Sequence, residues 1–183
     1  MDPLHLLAQL IGIVAMLFNI FSYQQKTRSR AIAFQLGGAL FFCVNFLMLG
    51  ALVGGILNAV AAIRAVVFLN RDKLQSNRPV WLAGFTAVYI LSYILTFTAF
   101  GKAPSPANLL VEILPVVGMI ATTISFRLTD AKAIRRYGLI SSPCWLVYNI
   151  ANFSIGAIIC EVLSLGSIFI GMIRLDKKQD NPT

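Results

Sequence analysis

The chain has 183 residues, 58% of them hydrophobic and 12% charged, with a mean hydropathy of +0.80 and a formal net charge of +8. A soluble domain is about half apolar and about a quarter charged, so this composition excludes an ordinary water-soluble fold. At about 20 residues per bilayer-crossing helix, the length leaves room for eight or nine crossings at most.

In chain order, apolar runs bounded by charge or by Gly and Pro predict membrane helices over 4–24, 31–49, 51–69, 80–100, 108–126, 139–153 and 157–174. The first run reads as a retained helix and not as a cleaved signal, because its positive charges follow the apolar stretch and no small-residue cleavage site closes it. Connections 25–30, 70–79 and 127–138, with the tail from Arg174, carry thirteen Lys and Arg residues, whereas the N-terminal stub and the alternate connections carry only Lys102. Basic loops stay on the cytoplasmic side. Strict alternation therefore predicts seven spans, with the N-terminus outside and the C-terminus in the cytoplasm. The basic residues then read as solvated loop residues with some contact to anionic lipid. They form no stripe with interleaved aromatic rings, which argues against nucleic acid as a partner.

The first and fifth segments align at an offset of 103 residues: Gln9 with Glu112, Gly12 with Pro115, Met16 with Met119, Asn19 with Thr122, Ser22 with Ser125, Tyr23 with Phe126. Each set falls on one helix face. The same offset pairs Gly38 with Ser141 and Phe42 with Trp145, and after a three-residue insertion Asn58 meets Ser164. Segments one to three thus resemble segments five to seven. The fourth, with Tyr89, Tyr93, Phe97 and Phe100, has no counterpart and reads as a linker returning the chain to the cytoplasmic face. The expected architecture is an all-α membrane protein of two parallel three-helix bundles, residues 1–78 and 107–176, joined by a linker helix over 79–106 and followed by a cytoplasmic tail over 177–183. Parallel repeats of this kind place a solute site between the halves near mid-depth.

Ionisable groups inside spans are costly and usually face a cavity or a partner. Glu112 and Glu161 each stand about four residues inside the outer end of a segment, roughly 6 Å deep at 1.5 Å per residue. Each heads a stripe expected to face the interior: Glu112, Pro115, Met119 and Thr122, and Glu161, Ser164, Ile168 and Gly171. Either carboxylate could bind a cationic or hydroxyl-rich solute or carry a proton, or could serve as a structural hydrogen-bond partner or a rim charge. Arg64, seven residues before Arg71, is expected to snorkel its long stem to the cytoplasmic interface, too far in depth to pair with either glutamate. Asn45, Asn58, Asn149 and Asn152 need partners that lipid cannot supply. Trp145, Tyr148, Asn149 and Asn152 share a face whose aromatic and amide groups suit polar rings; helix-to-helix glue is the structural alternative. Gly50, Gly54, Gly55, Ala59 and Ala62 permit close helix approach, chiefly for internal packing, with a homodimer face as the other use. Cys43, Cys144 and Cys160 lie in apolar segments without paired spacing, so neither disulfides nor zinc is expected. His5, a lone imidazole, supports neither a metal site nor a proton relay.

The second half, with Glu112, Pro115, Gly118, Cys144-Trp145, Asn149, Ser154-Ile155-Gly156 and Glu161, and the first half, with Leu57-Asn58-Ala59 followed by Arg64, resemble the bacterial inner-membrane YgjV family over nearly the whole chain. That family is similar to the SWEET and PQ-loop transporters. The resemblance implies a bacterial plasma membrane and a pocket lined by an Asn on the third helix, a Trp on the sixth and a polar residue on the seventh, here Asn58, Trp145 and Ser164. The paired Pro-Gln signature of those transporters is absent: Pro115 is followed by Val116, and Gly12 stands at the matching position of the first half.

The leading expectation is a transporter of a small polar solute working by alternating access, with Asn58, Trp145, Asn149, Ser164, Glu161 and Glu112 as solute-binding candidates and Pro115 as a hinge. A non-transporting scaffold or subunit of a membrane complex is the alternative. No HExxH, GxSxG or clustered His and Cys points to an enzyme, a metal or a cofactor.

Overall fold

A computed structural model describes residues 3–48, 52–151 and 155–176. The described residues fold into helices α1 (Pro3–Ser22), α2 (Arg28–Met48), α3 (Leu52–Leu69), α4 (Arg71–Leu74), α5 (Pro79–Thr98), α6 (Pro106–Arg127), α7 (Ala131–Ala151) and α8 (Ile155–Gly171), the last running into a π-helical turn, Met172–Asp176. No strand occurs among them. The helix starts follow local chemistry. Pro79 and Pro106 open α5 and α6, where a missing N–H costs nothing. Ser105 caps α6 by accepting from the Asn108 amide at 3.2 Å.

Arg28–Met48, Pro79–Thr98, Pro106–Arg127 and Gly156–Asp176 are long and apolar enough to cross a bilayer, while Leu6–Ser22 and Gly55–Leu69 are apolar but shorter. Four helices therefore meet on length and composition an expectation framed for seven. The expected 127–138 connection needs correction: α7 begins at Ala131, so Lys132, Arg135 and Arg136 lie within its first turns.

The polarity of the molecule is that of a lipid-facing bundle. Its exposed faces carry Leu, Ile, Val and Phe, among them Leu10, Leu91 and Ile170, whereas Ser22, Thr123, Ser125, Ser141, Ser142, Asn149 and Ser164 are buried. Lipid offers no hydrogen bonds, so polar groups turn inward, and buried alanines such as Ala8, Ala15 and Ala65 let backbones approach closely.

Helices α1, α2 and α3 pack in sequence, and so do α6, α7 and α8; between the two sets α1 meets α8, α2 meets α7, and α3 meets α6. First helix meets third, second meets second, third meets first, as at an isologous interface. Helix α5 packs on α6 and contributes more than a connection. Phe68 of α3 lies 6.2 Å from Phe85 of α5 and 6.0 Å, edge-on, from Phe126 of α6, and Tyr89 of α5 is fully buried.

The ends of the bundle that carry the basic connections are tied by two arginines expected in solvent. Arg28, at the start of α2, donates through Nε to the Phe126 carbonyl at 2.8 Å and through Nη2 to the Phe68 carbonyl at 3.0 Å. Both acceptors lie in the last turns of α6 and α3, where carbonyls have no helical partner and a cation is favoured. Arg135 of α7, 1% exposed, ion-pairs with Asp176 and donates to the carbonyls of Tyr23 at 3.3 Å and Gln25 at 3.0 Å. Ser167 of α8 adds a hydroxyl donated to the Ile20 carbonyl at 2.6 Å and accepts from Gln24. Arg28 and Arg135 are thus buried structural groups, because helix-end carbonyls and one carboxylate satisfy them better than the interface would.

Candidate functional site

A cavity of about 200 Å³ lies between the two sets, lined from α1, α2, α3, α6, α7 and α8. Its floor is formed near the basic end by Tyr23, Phe126 and Arg64. At the other end it reaches Phe46, Asn149 and Ala157, close to the opposite termini of α2, α7 and α8. The repeat reappears in its walls. Asn19 and Thr122, Tyr23 and Phe126, Phe42 and Trp145, and Asn58 and Ser164 are matched pairs, and both members of each line the cavity. The 103-residue offset adds Ala39 with Ser142 and Phe46 with Asn149.

Of the expected solute-binding residues, Asn58, Trp145, Asn149, Ser164 and Glu161 line this cavity and Glu112 does not. Glu112 is buried and forms an ion pair with Lys102, so this side chain of α6 is engaged by the 99–105 connection. Pro115 sits buried inside α6 away from the lining, and α7 holds a second internal proline, Pro143. Met119 and Thr122 of the Glu112 stripe reach the cavity. In the other stripe Ser164, Ile168 and Gly171 are all buried. Asn152 and Gly50 lie outside the described residues, as do residues 177–183; so does the side chain of His5. Asn45 is accounted for structurally, donating to the Ala8 carbonyl at 2.7 Å.

The indole of Trp145 lies against the backbone of α6: a Cβ at Gly118 would meet its Nε1 at 3.1 Å, so a glycine is what lets the ring seat there. Tyr148 stands perpendicular to it at 5.8 Å between centroids. Thr122 and Ser141 bring their hydroxyls to 3.1 Å. Ser142, Glu161 and Tyr23 all line the cavity, from α7, α8 and the end of α1.

Arg64 differs most from expectation. Its side chain does not run to the interface. It is 7% exposed and lines the cavity. Nη1 donates to Tyr89 Oη and the Met119 carbonyl at 3.3 Å and to Thr123 Oγ1 at 3.5 Å, and the guanidinium carbon stands 5.1 Å from the centre of the Phe126 ring. Tyr89 and Thr123 are bonded to each other at 3.0 Å. These acceptors come from α5 and α6, too far along the chain for local spacing to reveal; the signal available was Tyr89 and Thr123 among several polar residues of two largely apolar segments. Among the described residues no carboxylate lies at ion-pair distance from Arg64.

The cavity therefore brings a guanidinium and a carboxyl group together in aromatic and amide walls. Such a site can grip a small polar molecule by charge, hydrogen bonding and ring contact. Among the described residues no cluster of His, Cys, Asp and Glu is placed to hold a metal ion.

The sequence profile of the family Imp-YgjV, a bacterial inner membrane protein, matches residues 6–179. The chain belongs to this family. It is 26% identical over 179 residues to the inner membrane protein YgjV of Escherichia coli (strain K12), an alignment covering 96% of this chain and 90% of that one. No solved structure matches. Membership of the Imp-YgjV family assigns the protein to the bacterial inner membrane, in keeping with its apolar outer faces.

Proposed function

We propose that this Imp-YgjV protein is a transporter of a small polar solute, working by alternating access in the manner of the SWEET and PQ-loop proteins, with seven spans arranged as two three-helix bundles and a linker. One observation carries the reading: a cavity lies between two helix triplets, and its walls include matched residues of the two halves. A repeat that rocks about a central site needs that arrangement. A scaffold would close its polar side chains into dry helix contacts, and Asn149 and Glu161 instead border open space. Asn58, Trp145, Asn149, Ser164 and Glu161 are the proposed binding residues.

The thirteen-to-one distribution of basic residues supports an orientation with the Arg28 and Arg135 end in the cytoplasm and the N-terminus outside. In that frame the two arginines would close the cytoplasmic side, and the cavity between the halves would be reached from outside. Thermal stabilisation of the purified protein against sugars, amino acids, nucleosides and vitamin precursors tests the reading, since a ligand that binds the native state raises its stability. A hit abolished by Asn58→Ala and by Trp145→Ala is the expected result. A hit that both variants retain places the pocket elsewhere, and uptake absent from proteoliposomes for a ligand that binds rejects transport.

A further inference from the structure

The two charges in the cavity have no charged partners among the described residues. Arg64 is more than nine-tenths buried, its Nη1 contacts are long and neutral, and its Nε has no hydrogen-bond partner. A buried guanidinium is ordinarily paired with an anion, because desolvating a lone charge is expensive. Glu161 likewise has no cation at ion-pair distance among the described residues. Arg64 and Glu161 are not bonded to each other, yet both border the same space of about 200 Å³. One molecule held there can therefore meet both.

The chemistry of the occupant follows by elimination. A neutral sugar would leave both charges uncompensated. A simple anion would satisfy Arg64 and crowd Glu161, and a simple cation would do the reverse. A molecule carrying a carboxylate and an ammonium on a short frame satisfies both and adds no net charge to a site inside a bilayer, where net charge is costly. Size agrees. A volume of about 200 Å³ falls below the roughly 300–1,000 Å³ of sites for drug-sized ligands.

We infer that the cavity binds a small zwitterion of the α-amino acid class, with its carboxylate on the Arg64 guanidinium and its ammonium on the Glu161 carboxylate. The guanidinium fork matches a carboxylate in a way that an ammonium could not. Trp145 and Phe42, matched across the repeat, then flank the ligand side chain. The inference rests on the proposed solute site and narrows its substrate class.

Calorimetric titration of the full-length protein in lipid nanodiscs separates the two. The probes are L-alanine and L-leucine, the same molecules without the amine (propionate and 4-methylpentanoate), the same without the carboxylate (ethylamine and 3-methylbutylamine), and glucose. The expected result is binding of at least one amino acid, with its two single-charge analogues at least about tenfold weaker, as loss of a charge-assisted contact produces. Glu161→Gln should then abolish the preference for the amine, and Arg64→Gln the preference for the carboxylate. Arg64→Lys, which keeps the charge, should retain weakened binding if the fold is intact. Equal binding of an amino acid and its analogues overturns the inference without variants. Binding of glucose alone, lost in Asn58→Ala, also overturns it while leaving the transporter reading standing; no binding by any probe to the folded protein counts against both.

Discussion

Tyr23 and Phe126 occupy matching positions in the two halves, and each gives its backbone carbonyl to an arginine of the opposite half: Arg135 donates to Tyr23 at 3.3 Å and Arg28 to Phe126 at 2.8 Å. The exchange is reciprocal, yet the arginines are not aligned. The 103-residue offset sets Arg28 against Ala131 and Arg135 against Ile32, one helical turn away. The two halves thus reached the same closure from different positions, and both seams, α3 with α6 and α1 with α8, are sealed at the same end. Rocking of one half against the other requires both to part.

Asp176→Asn should be strongly destabilising. It leaves Arg135, with 2% of its side chain exposed, buried without its anion, a situation that typically costs about 3–5 kcal/mol. Denaturation in detergent reads the loss. A cysteine at Asn19, introduced after removal of the native cysteines, should also label faster from the basic end of the bundle. Unchanged stability together with unchanged labelling would deny the latch any role.

Gly171→Ala is expected to pry α8 from α1. An added Cβ would lie 2.6 Å from the Tyr23 carbonyl oxygen and 2.9 Å from Arg135 Cδ, and overpacking of this kind costs about 1–3 kcal/mol. Gly166→Ala, in the same helix with open space around it, serves as the control and should leave the melting temperature unchanged or raise it slightly, as alanine is the better helix former.

Glu112→Gln should separate the rim from the site. The ion pair with Lys102, whose side chain is 31% exposed, is worth no more than about 1 kcal/mol, and ligand affinity should stay within about twofold of the unmodified protein. Glu161→Gln should weaken amino-acid binding at least about tenfold under the same conditions. Equal losses in the two variants would return Glu112 to the binding site.

Tyr89→Phe probes the support of Arg64. It removes one acceptor of the guanidinium and one partner of Thr123, both of which keep the Met119 carbonyl, and a buried hydrogen bond so lost costs about 0.5–1.5 kcal/mol. Ligand affinity should fall with it, because Arg64 loses a contact that aims it. Tyr93→Phe, which loses one long bond at an exposed position, should affect neither stability nor binding.

Much of the helical layout was legible from the chain because lipid imposes a simple rule: backbone groups must bond within the segment, so spans read as uninterrupted apolar runs. The matched faces were legible too; Asn19 and Tyr23, and Thr122 and Phe126, share helical spacing and an offset, and they meet in one cavity. What escaped were residues whose partners are remote. Arg135 looks like a loop charge until Tyr23 and Asp176, 112 and 41 positions away, are brought beside it, and the helix then extends through it. Arg64 has Arg71 one turn pair below, which favours snorkelling on local grounds, while Tyr89 and Thr123 can outbid the interface only after α5 and α6 have packed. For Glu112 the partner was near at hand: Lys102, ten residues earlier, is the one basic residue of its side of the molecule.

Neither charge in the cavity has a counterpart in the other half: Gly55 stands at the position matching Glu161, and exposed Ile170 at the position matching Arg64. The packing frame is duplicated, but its ionisable chemistry is not. Under the proposed function, relatives can diverge in the solute they take through one or two replacements on the cavity wall, keeping the helix seams untouched, and the identities at 64 and 161 are the positions at which such divergence should first be sought.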